Sequence, residues 1–125
     1  MSRFVIRAVN TGVKFDLRAA NGQTILTSEV YRTEAACRAG IESVRKNVPA
    51  ARLEDLTGAG SKAPANPKFQ VYLDKAGRFR FRLKARNGCI IAVSDGYGGK
   101  AACLGGIESV RQNVLQAQIV RAVQP

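Results

Sequence analysis

Two stretches of this chain of 125 residues have almost the same sequence: AACRAGIESVRKNV at residues 35–48 and AACLGGIESVRQNV at residues 101–114. The apolar positions of the first stretch recur at the spacing i, i+3, i+4, i+7 and i+11, and they are Cys37, Gly40, Ile41, Val44 and Val48. This spacing places them on one face of an α-helix. The repeat therefore predicts two helices, each of which packs an apolar face against a core.

The similarity extends outward from the helices over most of the chain. Residues 14–52 align with residues 80–118 at an offset of 66 without a gap, and about half of the aligned positions are identical. Before them the offset is 65, because the second copy has one more residue in its first hairpin turn. We predict a first repeat at 1–56, a linker rich in Gly, Ala and Pro at 57–67 and a second repeat at 68–125. A single copy of about 60 residues is marginal in size, so both should form one cooperative pseudo-symmetric domain.

Upstream of each helix the hydrophobic pattern has a period of two. In KFQVYL (68–73) and FRFRLK (79–84) apolar and polar residues alternate, which is typical of strands with one buried and one exposed face. The Asn-Gly pairs at 21–22 and 87–88 favour type I′ turns, so a third antiparallel strand follows in each copy. Each copy thus predicts a three-stranded meander, and the segments ARLEDLT and QAQIVRAV after the helices are possible short strands.

Two local features refine the helices. Thr33 is a plausible N-cap of the first helix, and Gly99 holds the equivalent position in the second. A glycine lies on the apolar face of each helix, at Gly40 and Gly106. Since glycine costs a helix about 1 kcal/mol, its use indicates close approach to the sheet.

The cysteines predict core positions rather than a metal or disulfide site. Cys37, Cys89 and Cys103 are an odd number without a C-x-x-C pair, and the chain has no histidine. A zinc or haem site would have too few ligands, and we expect no cofactor and no metal. Cys37 and Cys103 lie on the apolar helix faces, where a reduced thiol acts as a small hydrophobe.

The segments NGQTILTSEVYRTEAACRAGIESVRKNV (21–48) and NGCIIAVSDGYGGKAACLGGIESVRQNV (87–114) resemble the YegP-like family, a bacterial and archaeal domain of unknown function. The shared marks are Asn-Gly, a Ser then a Tyr before the helix, and AAC followed by GIESV. The resemblance implies β3-α-β units that pair, as a tandem repeat or as two subunits, with swapped C-terminal strands. We therefore expect an α+β fold in which two tandem repeats share one antiparallel sheet, with the helices packed on one face. The family brings no established catalytic or binding residues.

Charge is the main pointer to function. The formal net charge is +11, which predicts attraction to polyanions. Residues 1–60 contribute +3 and residues 61–125 contribute +8, so the second half should contact an anionic partner more strongly. There is no apolar run of about 20 residues for a membrane span and no signal-peptide pattern, so the expectation is a cytoplasmic protein without membrane contact.

An enzyme is the less favoured hypothesis. Without histidine, a general base would have to be a carboxylate, Lys, Tyr or Cys with a shifted pKa. The repeated candidates form no set of nucleophile, base and orienting group, and they are Glu42/Glu108, Ser43/Ser109 and Tyr31/Tyr97. The Glu42 and Arg45 side chains, three residues apart, look like a surface ion pair. We expect a protein that is not an enzyme.

The better-supported hypothesis is binding of nucleic acid or another polyanion by the polar face of the sheet. The candidate side chains alternate with buried ones on predicted strands, and they are Lys68, Tyr72, Arg78, Arg80, Arg82, Lys84, Lys14 and Arg18. A basic sheet with an aromatic residue suits phosphates and stacked bases. DNA and RNA stay equally open.

Two plainer interpretations remain beside it. Any half-buried sheet needs a hydrated face, and basic residues there reduce aggregation. The chain could also be a structural or protein-interaction module, which is favoured slightly by Leu104 on the outer helix face where the first copy has Arg38. We expect a monomer with an internal pseudo-two-fold axis rather than an obligate oligomer.

Overall fold

Eight strands and two helices form in the order that the sequence predicts, within residues 1–58 and 63–122 that the computed structural model describes. The strands are β1 (Arg3–Val9), β2 (Gly12–Arg18), β3 (Thr24–Ser28), β4 (Arg52–Asp55), β5 (Lys68–Leu73), β6 (Phe79–Lys84), β7 (Ile90–Val93) and β8 (Gln118–Arg121). The helices are α1 (Glu34–Asn47) and α2 (Lys100–Asn113), and a short 3-10 turn (Val48–Ala50) follows α1. Residues 59–62 of the predicted linker and 123–125 of the second repeat lie outside the described residues.

All eight strands join one sheet in the order β4-β5-β6-β7-β3-β2-β1-β8. The first copy's last strand, β4, pairs with β5 of the second copy, and β8 of the second copy pairs with β1 of the first. The predicted swap of the C-terminal strands is therefore confirmed. The pseudo-two-fold axis passes between β3 and β7, the two strands that join the copies.

The prediction of an antiparallel sheet is right for the six central strands and wrong for the two edges. β4 runs parallel to β5, and β8 runs parallel to β1, so the sheet is mixed. The swap explains the difference. A two-fold axis perpendicular to a sheet reverses strand direction, so a strand antiparallel to the first strand of its own copy becomes parallel to that of the other copy.

The core lies between the sheet and the two helices, and it is built twice in the same way. Phe4 packs edge-to-face on Phe15 with ring centroids 5.8 Å apart, and Phe69 packs on Phe81 at 5.9 Å. Cys37 and Cys103 are fully buried with the apolar face of their helices, as the periodicity predicts. In the described part of the chain, no helix is long and apolar enough to span a membrane.

The hairpin between β2 and β3 differs from the predicted type I′ turn. Gly22 has a φ of 86°, but no described residue other than glycine has a positive φ, whereas type I′ needs two in succession. The Gly22 N–H donates to the Ala19 carbonyl and the Ala19 N–H donates to that of Gln23, which gives a three-residue loop with glycine in the left-handed position. The Asn21 carboxamide accepts from the Gln23 N–H, so Asn serves as a side-chain acceptor here.

The first hairpin absorbs the one-residue offset, as predicted. β1 and β2 pair up to Val9 and Gly12, with two residues between them. In the second copy the Asp74 N–H donates to the Arg78 carbonyl, so that three residues lie between these two positions. The change in offset therefore has no effect on either strand's register.

Both predictions about the helices are confirmed. The Thr33 hydroxyl accepts from the Ala36 N–H at 3.1 Å and caps α1. A Cβ added to Gly40 would lie 2.2 Å from the Tyr31 hydroxyl oxygen, and one added to Gly106 would lie 2.4 Å from that of Tyr97. Glycine is used because the tyrosine before each helix packs directly against the helix backbone.

The placement of Leu104 on the outer helix face is wrong. Its side chain is half-buried and packs against the core, while Arg38 at the equivalent position is exposed. α2 therefore covers slightly more of the sheet than α1, and Leu104 no longer favours a protein-interaction surface.

Candidate anion-binding face

The two helices pack on one face of the sheet, and the opposite face is called the open face here. The linker reaches the open face at one point, where the Lys68 Nζ donates to the Pro64 carbonyl at 3.2 Å. Residues that pair across adjacent strands share a face, so the register identifies a central row that crosses all eight strands. This row consists of Glu54, Gln70, Arg82, Val93, Thr27, Asp16, Val5 and Val120. Most basic side chains of the open face lie on either side of it.

In the second copy, the cations in and next to the central row share hydrogen-bond partners and so form one connected network. The Lys68 Nζ lies 2.8 Å from the Glu54 Oε1, which also accepts from the Gln70 amide at 2.7 Å. The Arg82 Nε donates to the Gln70 Oε1 at 2.8 Å, and its guanidinium lies 4.7 Å from the centre of the Tyr72 ring. Hydrogen bonds from Lys68 and Gln70 lower the pKa of the Glu54 carboxyl. This carboxylate therefore neutralises part of the basic cluster from within.

The remaining cations of β6 have separate environments. The Arg80 Nε donates to the Asp74 Oδ2 at 2.7 Å, and this bond lowers the pKa of Asp74. The alternation predicted Arg78 as part of the strand, and this is wrong, because β6 begins at Phe79 and Arg78 lies before it, against the backbone of Gly96. Lys84, half-buried, has no hydrogen bond or ion pair to another described residue.

The open face of the first copy also contains a carboxylate, but at a different position of the sheet from that of Glu54 in the second copy. Asp16 is buried, and its two oxygens accept from the Arg7 Nε at 2.8 Å and from the Thr27 hydroxyl at 2.9 Å. Lys14 and Arg18 are half-buried without a partner in the part of the chain that the structure describes, and the Nε of Arg18 is buried. The alignment places Asp16 where the second copy has Arg82.

The structure thus divides the eight predicted site residues into three groups. Lys68, Tyr72, Arg80 and Arg82 contact one another or a carboxylate, and Arg78 lies in a turn. Like Arg78, the last three have no side-chain hydrogen bond or ion pair to a described residue, and they are Lys84, Lys14 and Arg18.

Three further cations of the open face were missed, and they are Arg3, Arg7 and Arg52. Arg3 is exposed at the first position of β1, and it lies directly opposite Arg18. Its alternation with the buried Phe4 is the signal that identifies it.

The repeated residues considered for catalysis have structural contacts. The Asn47 carboxamide donates to the Ser43 carbonyl at 2.7 Å, and Asn113 donates to that of Ser109 at the same distance. Glu42 pairs with Arg45, as predicted. The repeated serine and glutamate are therefore positioned by contacts within the same helix.

The two repeated arginines have a role that sequence reasoning missed. Arg111 of α2 donates to the Ala51 carbonyl at 2.9 Å, just before β4, and Arg45 of α1 donates to the Ala117 carbonyl at 2.7 Å, just before β8. Each guanidinium also lies over a core ring, at 5.0 Å from Phe69 and 5.4 Å from Phe4. Each arginine therefore holds the segment that crosses over from the other copy, a long-range contact that helical periodicity does not reveal.

A cleft of about 420 Å³ lies between the end of α1 and the hairpin that joins β6 to β7. Its volume is within the range of small-molecule sites, but such sites are mostly apolar, and its lining includes Lys46, Asn47, Arg86 and Asn87. Both ends of the Asn47 carboxamide are already bonded, to Ser43 and to the Arg86 N–H. The Asn47 carboxamide therefore links α1 to the hairpin of the other copy, while the Lys46 and Arg86 side chains in the lining have no partner among the described residues.

The fold defines a tandem α+β repeat protein with a swapped eight-stranded sheet, and comparison with known proteins identifies the family. Residues 3–55 and 74–120 match the model of a domain of unknown function (DUF1508), so the chain belongs to this family, as its resemblance to YegP-like proteins implied. A UPF0339 protein of Photorhabdus laumondii is 38% identical over 82% of this chain and 77% of its own length. A UPF0339 protein of Methanosarcina acetivorans is 57% identical, but the match covers 42% of this chain and 91% of that protein, which thus has the length of one repeat.

Solved structures show the same architecture. The solution structure of YegP from E. coli, a protein of unknown function, is 29% identical, with a TM-score of 0.78 over 99% of this chain and 95% of that one. The UPF0339 protein SO3888 of Shewanella oneidensis is 31% identical, with a TM-score of 0.76 over 96% of this chain and 90% of that one.

Proposed function

We propose that this protein binds polyanions, and nucleic acid in particular, through the open face of the sheet. The observation that carries the proposal is the set of cations on this face whose side chains make no ion pair or hydrogen bond within the described chain: Arg3, Lys14, Arg18, Arg52 and Lys84. Like charges on a sheet repel one another and reduce its stability. A face that accumulates them without internal partners is suited to an anionic ligand.

The ligand contacts would be mainly to phosphates. Lys68, Arg80 and Arg82 already have carboxylate or amide partners, so they add to the positive potential more than to direct contacts. The Arg82 guanidinium covers one face of the Tyr72 ring, which leaves the opposite face for a base. Recognition should therefore depend weakly on base sequence and strongly on salt.

Binding of labelled single-stranded and duplex oligonucleotides by fluorescence anisotropy, over a series of NaCl concentrations, tests the proposal. If all five free cations contact phosphates, the log of the affinity should fall with the log of salt with a slope of about −3.5 for a single strand. The K14Q/K84Q variant should bind all sequences more weakly and reduce the slope by about 1.5. No binding at low salt would contradict the proposal.

A matched control separates a surface effect from net charge. Arg32 and Lys46 are exposed outside the open face, the former before α1 and the latter on it, and R32Q/K46Q removes the same two charges. We expect this variant to bind within about twofold of the original protein, because screened distant charges contribute little. Equal loss in both double variants would indicate attraction to the whole molecule instead of a site.

A protein-interaction module is the second candidate, and three exposed leucines favour it. Leu53, Leu56 and Leu73 are 47%, 49% and 51% exposed, and the Leu56 N–H donates to the Val71 carbonyl at the edge of the sheet. The aligned positions of the other copy hold Ile119, Ala122 and Ala8. If these leucines mediate self-association, sedimentation should show concentration-dependent dimers that L56Q/L73Q abolishes. A monomer at every concentration would exclude this form of the function.

A further inference from the structure

A row of four hydrogen-bond donors crosses one half of the open face. Gln118, Arg3, Arg18 and Thr24 lie side by side on β8, β1, β2 and β3, each directly opposite the next. None of these four side chains, called the donor row here, makes a hydrogen bond or ion pair to another residue of the described ranges. Directly opposed residues have Cβ atoms about 4.5–5.5 Å apart, so Arg3 and Arg18 bring two guanidinium groups together.

The second repeat shows how the fold can stabilise such a pair of like charges with a carboxylate of its own chain. The position of Arg3 corresponds to Lys68 and that of Arg18 to Lys84, and these lysines are also directly opposed. There the Glu54 carboxylate on the edge strand lies 2.8 Å from the Lys68 Nζ. The repeat therefore supplies its own anion beside the basic pair.

The first repeat lacks this internal anion. The residue that corresponds to Glu54 is Val120 of β8, which pairs with Val5. The nearest carboxylate along the strand, that of Asp16, already accepts from Arg7 and Thr27 with its two oxygens. The Nε of Arg18 is buried and has no partner, and a buried donor without an acceptor is unfavourable. The first repeat thus has two directly opposed guanidinium groups and no carboxylate at the position that Glu54 holds in the second repeat.

We propose that the donor row is a discrete binding site for a phosphoryl group, which takes the place that the Glu54 carboxylate occupies in the second repeat. Two guanidinium groups suit an oxyanion because each presents paired N–H donors in a plane. The proposal deepens the proposed function, since it assigns the principal phosphate contact to the less basic repeat. A free phosphate and a phosphodiester of nucleic acid offer the same chemistry to this site.

The site is tested on the full chain by following amide shifts in NMR spectra during titration with inorganic phosphate at low salt. In the original protein the largest shifts should fall on residues 3, 18 and 24. R18Q and V120E should each weaken phosphate binding by about tenfold or more, as expected for the loss of a charge-assisted hydrogen bond or the presence of a competing carboxylate. Shifts located elsewhere would overturn the proposal.

Matched controls and a reciprocal variant make the result specific. R32Q and Q112E change the net charge in the same direction as R18Q and V120E at exposed positions away from the row, and they should bind phosphate within about twofold of the original protein. E54Q removes the internal anion of the second repeat and should create new phosphate-dependent shifts at residues 68 and 84. If V120E binds phosphate as the original protein does, the proposal is wrong. A higher melting temperature of V120E in phosphate-free buffer would show that it is folded and that the added carboxylate neutralises the pair.

Oligonucleotide titrations of the same variants distinguish this site from the proposed function. Phosphate binding at the donor row without oligonucleotide binding would retain the site and reject the nucleic-acid function. Oligonucleotide binding that R18Q and V120E leave unchanged would retain the function and reject the site. Loss of both ligands in R18Q and V120E, but not in R32Q and Q112E, is the result expected if both are right.

Discussion

The two repeats share their core contacts and differ in the ion pairs that hold the swapped strands. The ring of Tyr31 stacks on that of Phe15 with ring centroids 6.3 Å apart, and the ring of Tyr97 stacks on that of Phe81 at the same centroid distance. At the N-terminus of each helix, a charged residue binds the end of the strand that arrives from the other copy. These two ion pairs, called the latches here, are Glu34 with Arg121 and Lys100 with Asp55.

The latches have opposite polarity. The acidic residue is on α1 in one and on the arriving strand β4 in the other, with N–O distances of 2.7 Å for Glu34–Arg121 and 2.6 Å for Lys100–Asp55. If a copy paired with an identical copy of another chain, Asp55 would face Glu34 and Arg121 would face Lys100. The core contacts that the two repeats share would permit this arrangement, whereas the latches would repel. The identical positions of the repeats thus specify the fold, and the charge-reversed ones favour pairing of unlike copies.

The largest predicted loss of stability comes from replacing one of the arginines that bind the segment crossing over from the other copy. Arg111→Ala removes the side-chain donor of the Ala51 carbonyl and one of the two donors of the Val48 carbonyl, and it uncovers Phe69, so we expect a loss of about 3 kcal/mol in unfolding free energy. Arg45→Ala, which affects one such carbonyl, should cost about 2 kcal/mol. Urea unfolding measures both. Arg32→Ala, at an exposed position, is the control and should change stability by less than about 0.5 kcal/mol.

The next effect concerns two adjacent glycines of α2 with different surroundings. A Cβ at Gly106 would lie 2.4 Å from the Tyr97 hydroxyl oxygen, whereas one at Gly105 meets nothing within 4 Å. Gly106→Ala should therefore destabilise the protein by about 1–2 kcal/mol, and Gly105→Ala should stabilise it by about 0.5–1 kcal/mol through helix propensity. Thermal unfolding followed by circular dichroism compares them. Tyr97→Phe should recover part of the loss in Gly106→Ala, and equal effects of the two alanines would contradict the packing argument.

A smaller effect should come from reversing one latch. Lys100→Glu places two carboxylates together at the start of α2, and we expect a loss below about 1 kcal/mol at low salt because the pair is partly exposed. Asp55→Lys in the same chain should restore the melting temperature, since it recreates an ion pair of reversed polarity. High salt should reduce both changes. A double variant no more stable than Lys100→Glu would show that the latch does not connect the copies.

The same latch gives a dependence on pH with a defined sign. Hydrogen bonds from Lys100 and Thr57 lower the pKa of Asp55 to about 2. A carboxylate whose pKa is lowered on folding stabilises the protein above its unfolded pKa of about 3.9, and this contribution is lost as the pH falls toward the folded value. The stability difference between the original protein and Asp55→Asn should therefore shrink as the pH falls from 5 to 2. A difference that stays constant over this range would contradict the assignment.

The smallest effect is a difference in reactivity between buried and exposed thiols. Cys37 and Cys103 are fully buried, and burial raises the pKa of both, while Cys89 is exposed. A thiol reagent should label only Cys89 in the native protein and all three cysteines in denaturant. Cys89→Ser should abolish native labelling without changing stability. Rapid native labelling of Cys37 or Cys103 would mean that the helix faces are misplaced.

Local sequence patterns predicted most of the fold. They failed for features that depend on residues far away in the chain or on loop geometry. Alternation identified β5 and β6, and the spacing of Cys37, Ile41 and Val44 identified α1 with its buried face. The parallel direction of β4 and β8 follows from the swap, which no local pattern contains. The Asn-Gly pairs predicted turns at the right places but of the wrong type, because loop length and bulge geometry decide the type.

The candidate site shows the same limit. Charge and alternation indicated a basic face, but they gave more weight to Arg80 and Arg82, whose partners Asp74 and Gln70 lie on or next to a neighbouring strand. Arg3 was overlooked because it is isolated in sequence, and only the register places it opposite Arg18. Whether a cation has an internal partner depends on the residues of the neighbouring strands, so the sequence of one strand alone does not show it.

The amino-acid sequence by itself determined that this chain is built from two copies of one β3-α-β unit, since hydrophobic periods of two and 3.6 residues report which side of each element is buried. Only the tertiary structure decided which residues of the two copies meet. Through the swap, β8 brings Val120 and Gln118 beside the first repeat and β4 brings Glu54 beside the second, so one basic pair is neutralised and the other is not. The physical reason is that charge compensation acts over a few ångströms in space, so it depends on which strand of the other copy the swap places beside each basic pair.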